Sequence, residues 1–346
     1  MMTNCDIVNP VAYRGWDELL LTHPGYSFFH STSWAKVLCD TYRYVPRYFA
    51  AIGNHTLEAL MPFMEVDSML TGKRGISLPF TDLCVPLLTD DGRYGQLLDD
   101  AICYGNRSGW QHLEIRGGEC AVRDAQAFSS FYGHRLDLVR HEETMLSRFR
   151  NSTRRNIFKA IADGVQVTVG ASLPELREFY RLNCLTRKRH GLPPQPYRFF
   201  RNLHEHVMAR GQGIVVLARL HDRVIAGAVY LHLGEKAIFK YGASDLKYQQ
   251  TRANNLVMWE AIRWYASRGY TQLCMGRTES GNDGLRQFKL GWRAQEYAIR
   301  YYRYDLAAGE FVNEGTGLGD RYTPLFSRLP LPFLKVIGTM AYRHIG

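Results

Sequence analysis

Apolar positions in the first third of the chain switch between two periods. Trp16–Thr22 reads as a short helical stretch, and Trp34, Val37, Leu38 and Tyr42 recur three and four apart, the spacing of one helix face. Ser31 or Ser33 stands where that helix needs a side-chain cap. Around Tyr48–Ile52 and Glu58–Glu65 the pattern is strand-like, with Gly53-Asn54-His55 as the turn. Ile76–Pro79 and Cys84–Leu88 read as extended segments around a loop holding Asp82, followed by a helix over Tyr94–Gly105 and a strand over His112–Ile115.

The second half repeats this order more clearly. Asn151–Asp163 predicts a basic helix closed by Gly164, and Val165–Val169 a strand. Ser172, Pro174 and Glu175 open a long helix with a cap, a first-turn proline and a capping-box glutamate. It breaks near Gly191, and Tyr197–Arg210 is helical again. Gly213–Leu220, Val224–Leu233 and Lys236–Gly242 form a three-strand meander with turns at His221-Asp222 and Gly234-Glu235. Asn255–Arg268, Gln272–Met275, Gly284–Lys289 and Gln295–Tyr304 then read as helix, strand, short helix, strand. That succession resembles an acyltransferase domain of the GNAT type.

Composition places the chain among folded proteins: 46% hydrophobic, 22% charged, over 346 residues, which excludes disordered and collagen-like classes. No apolar run of about 18 residues predicts a membrane span, and no secretory leader is expected. Seven cysteines lie at least 17 positions apart, so zinc or redox pairs are not expected and a reduced, cytoplasmic compartment is. The two His of His204-Glu205-His206 point to different helix sides, and no metal site is expected there.

Charge changes the picture. Residues 1–145 carry a net −6, residues 146–305 a net +15 and residues 306–346 a net +1. This predicts a first subdomain over 1–145, a basic second one over 146–305 that faces a polyanion, and a tail over 306–346 packing back on the first. Of 43 basic residues 34 are Arg, the side chain suited to bidentate phosphate contacts. An acetyl-CoA domain needs glycines before its central helix, so that backbone N–H groups reach the pyrophosphate. The equivalent turn here, Tyr248–Leu256, has none. A donor larger and more anionic than CoA fits this substitution.

His30–Trp34, Arg154–Ile157 with Ala160 and Gly164, Phe179–Tyr180, Thr186–Gly191, Tyr241–Ser244, Asn254–Glu260, Gly276–Thr278 and Gly284–Trp292, in this order and spacing, resemble the FemAB aminoacyltransferases. The resemblance covers most of the chain. It implies an α/β (α+β) fold of two tandem GNAT-like subdomains with a cleft between them. It further implies transfer of an amino acid from aminoacyl-tRNA to an amine of a peptidoglycan precursor, with no bound cofactor. The chain lacks a long heptad arm. The Gly276–Gly281 loop and the run Pro324–Phe333 look more like Gram-negative FemAB-like proteins, some associated with exopolysaccharide or exosortase genes. An acyl-CoA-dependent N-acyltransferase and a non-catalytic binding protein are therefore the alternatives.

The resemblance places its important lysine at Lys289, where a cation would stabilise the oxyanion or donor phosphates. It assigns substrate contacts to Lys36, Arg187, Arg189, Tyr241, Arg277 and Phe288. Asp82 is the candidate base for the incoming amine. Each also has a bland reading: a solvated lysine, a helix-terminal arginine offsetting the dipole, a packing tyrosine or a turn aspartate. The tail predicts a helix over Phe333–His344 after Pro324, Pro330 and Pro332. The alternative to its packing back on the first subdomain is a weak peripheral contact with the inner face of the membrane.

Overall fold

A computed structural model describes residues 5–118, 125–313 and 323–345. The chain divides into two compact units. The first is Met1–Phe131, Ala298–Thr316 and Met340–Gly346, and the second Tyr132–Tyr297 and Gly317–Thr339.

In the first unit β1 (Cys5–Val8), α1 (Trp16–Leu21) and α2 (Thr32–Tyr42) precede β2 (Val45–Gly53), β3 (Thr56–Ser68), β4 (Gly72–Ile76) and the short β5 (Leu87–Leu88). Ser31 does cap α2, its hydroxyl accepting from the Trp34 amide at 3.2 Å. Asn54 and His55 both have positive φ, as a two-residue hairpin turn demands. Helix α3 (Arg93–Ser108) then carries the chain to β6 (His112–Arg116). Strands β1 to β4 pair antiparallel in sequence order, but β6 lies parallel to β4. A parallel neighbour cannot be reached by a tight hairpin, and α3 supplies the crossover. Its Tyr94, Leu97 and Ala101 pack with Phe49, Met61 and Phe63.

The second unit holds β7 (Ser129–Asp137) from Tyr132 on, α4 (Glu142–Arg148), α5 (Asn151–Ala162), β8 (Gln166–Gly170), α6 (Leu173–Arg189) and α7 (Tyr197–His206). Then come β9 (Gly213–Leu220), β10 (Arg223–Leu233), β11 (Lys236–Ser244), α8 (Ala253–Ser267), β12 (Gln272–Glu279) and α9 (Asp283–Gly291). The strand order is β8-β9-β10-β11-β12-β7. Here too three antiparallel steps end in a parallel one, β11 beside β12, with α8 as crossover. On β10, Ala226, Ala228 and Tyr230 join the cluster of α8, while a Cβ at Gly227 would meet Phe179 of α6. The alternation of a strand's side chains thus gives each helix its own face. Ser172 and Glu175 form the expected capping box at α6.

Strand β13 (Gln295–Asp305) pairs with β6 and with β14 (Glu310–Val312) in the first unit. Helices α10 (Thr323–Arg328) and α11 (Leu331–Ile345) end the chain. The unit limits at 131/132 and 297/298 differ from the 145/146 and 305/306 set by charge alone. The tail divides as well. Met340–Gly346 belongs to the first unit, where Arg74 donates to the His344 and Ile345 carbonyls at 2.6 and 3.1 Å and closes the helix C-terminus. Residues 317–339 belong to the second, where Lys335 lies over the Tyr180 ring. Residues 314–322 of the tail, and Cys120, lie outside the described residues.

Charge-free hydrophobicity did not reveal β7, α4 or the Gly72–Ile76 strand. The last of these reads Gly-Lys-Arg-Gly-Ile, with little apolar content to mark it.

Candidate active site

The parallel pair of the second unit sets up a pocket. β11 and β12 are matched only from Lys236–Ile238 against Gln272–Cys274, although β11 runs on to Ser244. Beyond that point the chain turns through a 3-10 segment, Leu246–Thr251, and enters α8. Asp245, buried, starts the turn by accepting from the Lys247 amide at 3.1 Å. Thr186 of α6 fixes the strand end from the other side, its hydroxyl accepting from the Ser244 amide at 3.2 Å.

The turn closes at Arg252, which adopts φ 57. A glycine holds this left-handed conformation without cost and Asn or Asp tolerates it, whereas an arginine is strained by roughly 1–2 kcal/mol. The chain therefore keeps the turn geometry but places a guanidinium on it. The Asn255 amide bonds the Arg252 carbonyl at 2.9 Å, no side chain caps the 15-residue α8, and the positive end of its dipole faces the pocket.

The resulting pocket has a volume of about 420 Å³. Arg150 and Thr153 of the α5 end, Arg252 and Asn254 of the α8 end, and Gln287 and Phe288 of α9 line it. Arg150 donates to the Gln287 side-chain oxygen at 3.1 Å, and its amide bonds the Gly291 carbonyl at 3.0 Å. A Cβ at Gly291 would stand 2.5 Å from the Thr153 hydroxyl, so α9 approaches α5 only with glycine there. Two guanidinium groups at the positive end of the α8 dipole favour an anion here, beside the Asp245 carboxylate that also lines the pocket.

Lys289 points the other way from α9, towards β12. Its ammonium is 2% exposed at the residue level and donates to the carbonyls of Gly276 and Arg277, both at 2.9 Å. Successive carbonyls of a regular strand point to opposite sides. Gly276 at φ 69 breaks that rule and turns two of them onto one cation. The bland reading of a solvated surface lysine is therefore wrong. Its removal costs stability, because the buried Gly276 carbonyl and the half-buried Arg277 carbonyl depend on it. On the same helix Arg286 holds Glu296 with bonds of 2.8 and 2.6 Å, and Glu296 bonds His134 Nε2 at 3.1 Å. Burial first, and the Lys289 charge next, hold the His134 pKa below its ordinary value, so this ring is neutral.

Of the residues singled out by sequence, Lys289, Arg277 and Phe288 gather around α9 and β12, and Phe288 lines the pocket. The Arg277 guanidinium lies 3.4 Å from Glu279. Arg187 and Arg189 end α6; Arg187 Nε donates to the Pro193 carbonyl at 3.4 Å, and Arg189 is exposed. Tyr241 packs edge-on against Phe199 at 6.2 Å with Lys240 over its ring. Lys36, half-buried on α2, and Asp82, whose backbone carbonyl accepts from the Tyr301 hydroxyl at 2.8 Å, lie in the first unit. Arg252, Asp245, Gln287 and Thr153 were missed. The absence of glycine in Tyr248–Leu256 was the signal that pointed to the first of them.

Comparison with known proteins agrees with this architecture. Residues 147–297 match the acetyltransferase (GNAT) domain family. The chain is 27% identical over 158 residues to a UDP-N-acetylmuramoylpentapeptide-lysine N(6)-alanyltransferase of Weissella viridescens, a match spanning 44% of this chain and 46% of that relative. The crystal structure of FemX superposes with a TM-score of 0.67 at 14% identity, covering 90% of this chain and 97% of the other. A tandem GNAT protein of the clavulanic acid pathway gives 0.52 at 11% identity, covering 88% and 99%. The fold is thus mixed α/β, with two GNAT-like units in tandem, and the resemblance to FemAB-like proteins holds in sequence and in fold. Among the described residues no helix is long and apolar enough to cross a membrane.

Proposed function

We infer that this FemAB-like chain is an aminoacyltransferase that moves an amino acid from aminoacyl-tRNA to an amine of a peptidoglycan precursor. Following its alanyltransferase relative, the proposed amino acid is alanine and the proposed acceptor the lysine N6 of UDP-N-acetylmuramoyl-pentapeptide. The observation that carries this reading is the pocket at the start of α8, where Arg150 and Arg252 stand in place of a glycine-rich turn. Phosphates of an RNA 3′ end fit two guanidiniums better than a bare amide cradle would.

The chemistry needs no enzyme nucleophile. The acceptor nitrogen attacks the ester carbonyl, a C–N bond forms, the ester C–O bond breaks, and the departing ribose hydroxyl takes up a proton. The protein's task is to hold both partners and to stabilise the oxyanion. In this reading Lys289 fixes α9, the pocket wall, and supplies a desolvated positive charge beneath it. Lys36, Arg187, Arg189, Tyr241 and Arg277 serve the substrates, and Asp82 receives the proton of the amine. The reaction is placed in the cytoplasm, with a peripheral contact at the inner face of the membrane.

Incubation with alanyl-tRNA and the lysine-containing pentapeptide precursor is expected to give the alanylated product. Its absence with every aminoacyl-tRNA tested would sink the reading. The GNAT family match over 147–297 favours one second reading, acyl-CoA-dependent acylation. Calorimetric titration decides between them: no acetyl-CoA binding is expected, and micromolar affinity would transfer the assignment to CoA.

Arg252→Asn keeps a residue that tolerates the left-handed turn and removes the charge. Its affinity for tRNA is expected to fall, with the slope of log K against log salt reduced by about 1. Filter binding across a salt series measures this, and an unchanged slope would remove Arg252 from the donor site.

A further inference from the structure

A second concavity of the same unit, with a volume of about 1190 Å³, is not used by the transfer reaction. It opens where the first turns of α6 face α11. Leu173, Tyr180, Leu185, Tyr197 and Leu331 give it an apolar floor, and Arg177, Arg181, Arg219 and Lys335 stand around it. The acidic neighbours are already engaged. Glu175 closes the capping box with Ser172, and Glu178 lies 3.3 Å from Arg181. Arg177, Arg219 and Lys335 make no ion pair among the described residues.

Helix α11 adds a second observation. Leu334 is fully buried, while Phe333 and Val336 on the outer side are 63% and 59% exposed, flanking Lys335. Three apart, they share one face of the helix, with Lys335 turned to the groove side, and an outward apolar face edged by a cation is the pattern of a helix lying in a membrane interface.

We propose that the groove and the outer face of α11 dock on an anionic phospholipid bilayer. Arg177, Arg219 and Lys335 hold a lipid phosphate, the floor takes the first methylenes of its acyl chain, and Phe333 and Val336 enter the interfacial layer. Charge complementarity selects an anion, and the apolar floor distinguishes a lipid from free phosphate. An RNA would use the cations but gain nothing from Val336 or the aliphatic part of the floor. This deepens the membrane contact proposed above and rests on neither the donor nor the acceptor of the transfer reaction.

Co-sedimentation of the full chain, without tRNA or precursor, with vesicles of equal parts phosphatidylglycerol and phosphatidylcholine tests it. Binding is expected, and vesicles of phosphatidylcholine alone should bind at least about tenfold more weakly. The pair Arg177→Glu, Lys335→Glu should weaken binding to the anionic vesicles at least about tenfold. The pair Phe333→Ser, Val336→Ser should weaken it several-fold while leaving its salt dependence unchanged. Both pairs lie on exposed positions, and an unchanged thermal midpoint checks their folding. Equal binding to the uncharged vesicles, or indifference to either pair, overturns the proposal. Displacement by inorganic phosphate or by RNA overturns it too, and reassigns the groove to that ligand. A chain that binds vesicles yet transfers nothing refutes the transferase reading alone.

Discussion

Lys289→Met is expected to lower kcat/KM for aminoacyl transfer at least about a hundredfold, the scale on which loss of one preorganised electrostatic group acts. The same change is expected to cost about 1–3 kcal/mol of stability for the buried Gly276 carbonyl left unbonded, and less for the half-buried Arg277 carbonyl. Methionine keeps an unbranched side chain one atom shorter and offers neither donor nor charge. The carbonyl dipoles aimed at the ammonium would then confront an apolar group, and α9 would lose its tie to β12. Because Gln287, Phe288 and Gly291 of α9 line the pocket, its wall would shift with the helix. Urea unfolding and steady-state kinetics on one preparation separate the two effects. A variant that loses stability but keeps its turnover would make Lys289 a structural clamp and nothing more.

Glu114→Ala in the first unit is expected to destabilise the protein by about 3–5 kcal/mol, the range for removing one partner of a buried ion pair. Glu114 and Arg116 are two apart on β6 and so share a face; both are 8% exposed. Arg116 donates to Glu114 Oε1 from Nε and Nη2 at 2.9 and 2.8 Å, and Arg303 lies 3.4 Å from Oε2. Without the carboxylate the Arg116 charge remains buried. Burial pushes the Glu114 carboxyl up, but the charge and hydrogen bonds of Arg116, with Arg303, outweigh it and leave the pKa below the ordinary 4.5. A depressed carboxyl stabilises the fold above its ordinary pKa, and that contribution disappears as pH falls through the depressed value. The difference in urea midpoint between wild type and Glu114→Gln should therefore be full near neutrality and shrink only in acid. A pH-independent difference would contradict this account.

Features with local causes were legible in the sequence. Ser31 and Ser172 cap their helices because a hydroxyl before an apolar-periodic run has a backbone amide within reach, whatever the rest of the chain does. The meander and its turn at His221, which has φ 51, follow from the same local logic. The environment of Lys289 was not legible, because it depends on Gly276 turning a strand carbonyl and on α9 lying against that strand. Nor was the partnership of Arg150 with Gln287, 137 positions away. Charge summed along the chain located the basic half but not the unit limits, since β13 and α11 each contribute residues to both units.

The conformation of Arg252 carries a warning for protein engineering. A non-glycine residue at φ 57 is the kind of position that stability-guided redesign replaces with glycine, to relieve backbone strain. Here that replacement would recover about 1 kcal/mol and recreate the bare turn of an acetyl-CoA domain, at the expense of the guanidinium that distinguishes this pocket. A thermostability screen blind to activity would therefore favour variants that fold better and carry one cation fewer at this pocket. The strain held at Arg252 is what such a screen would remove first.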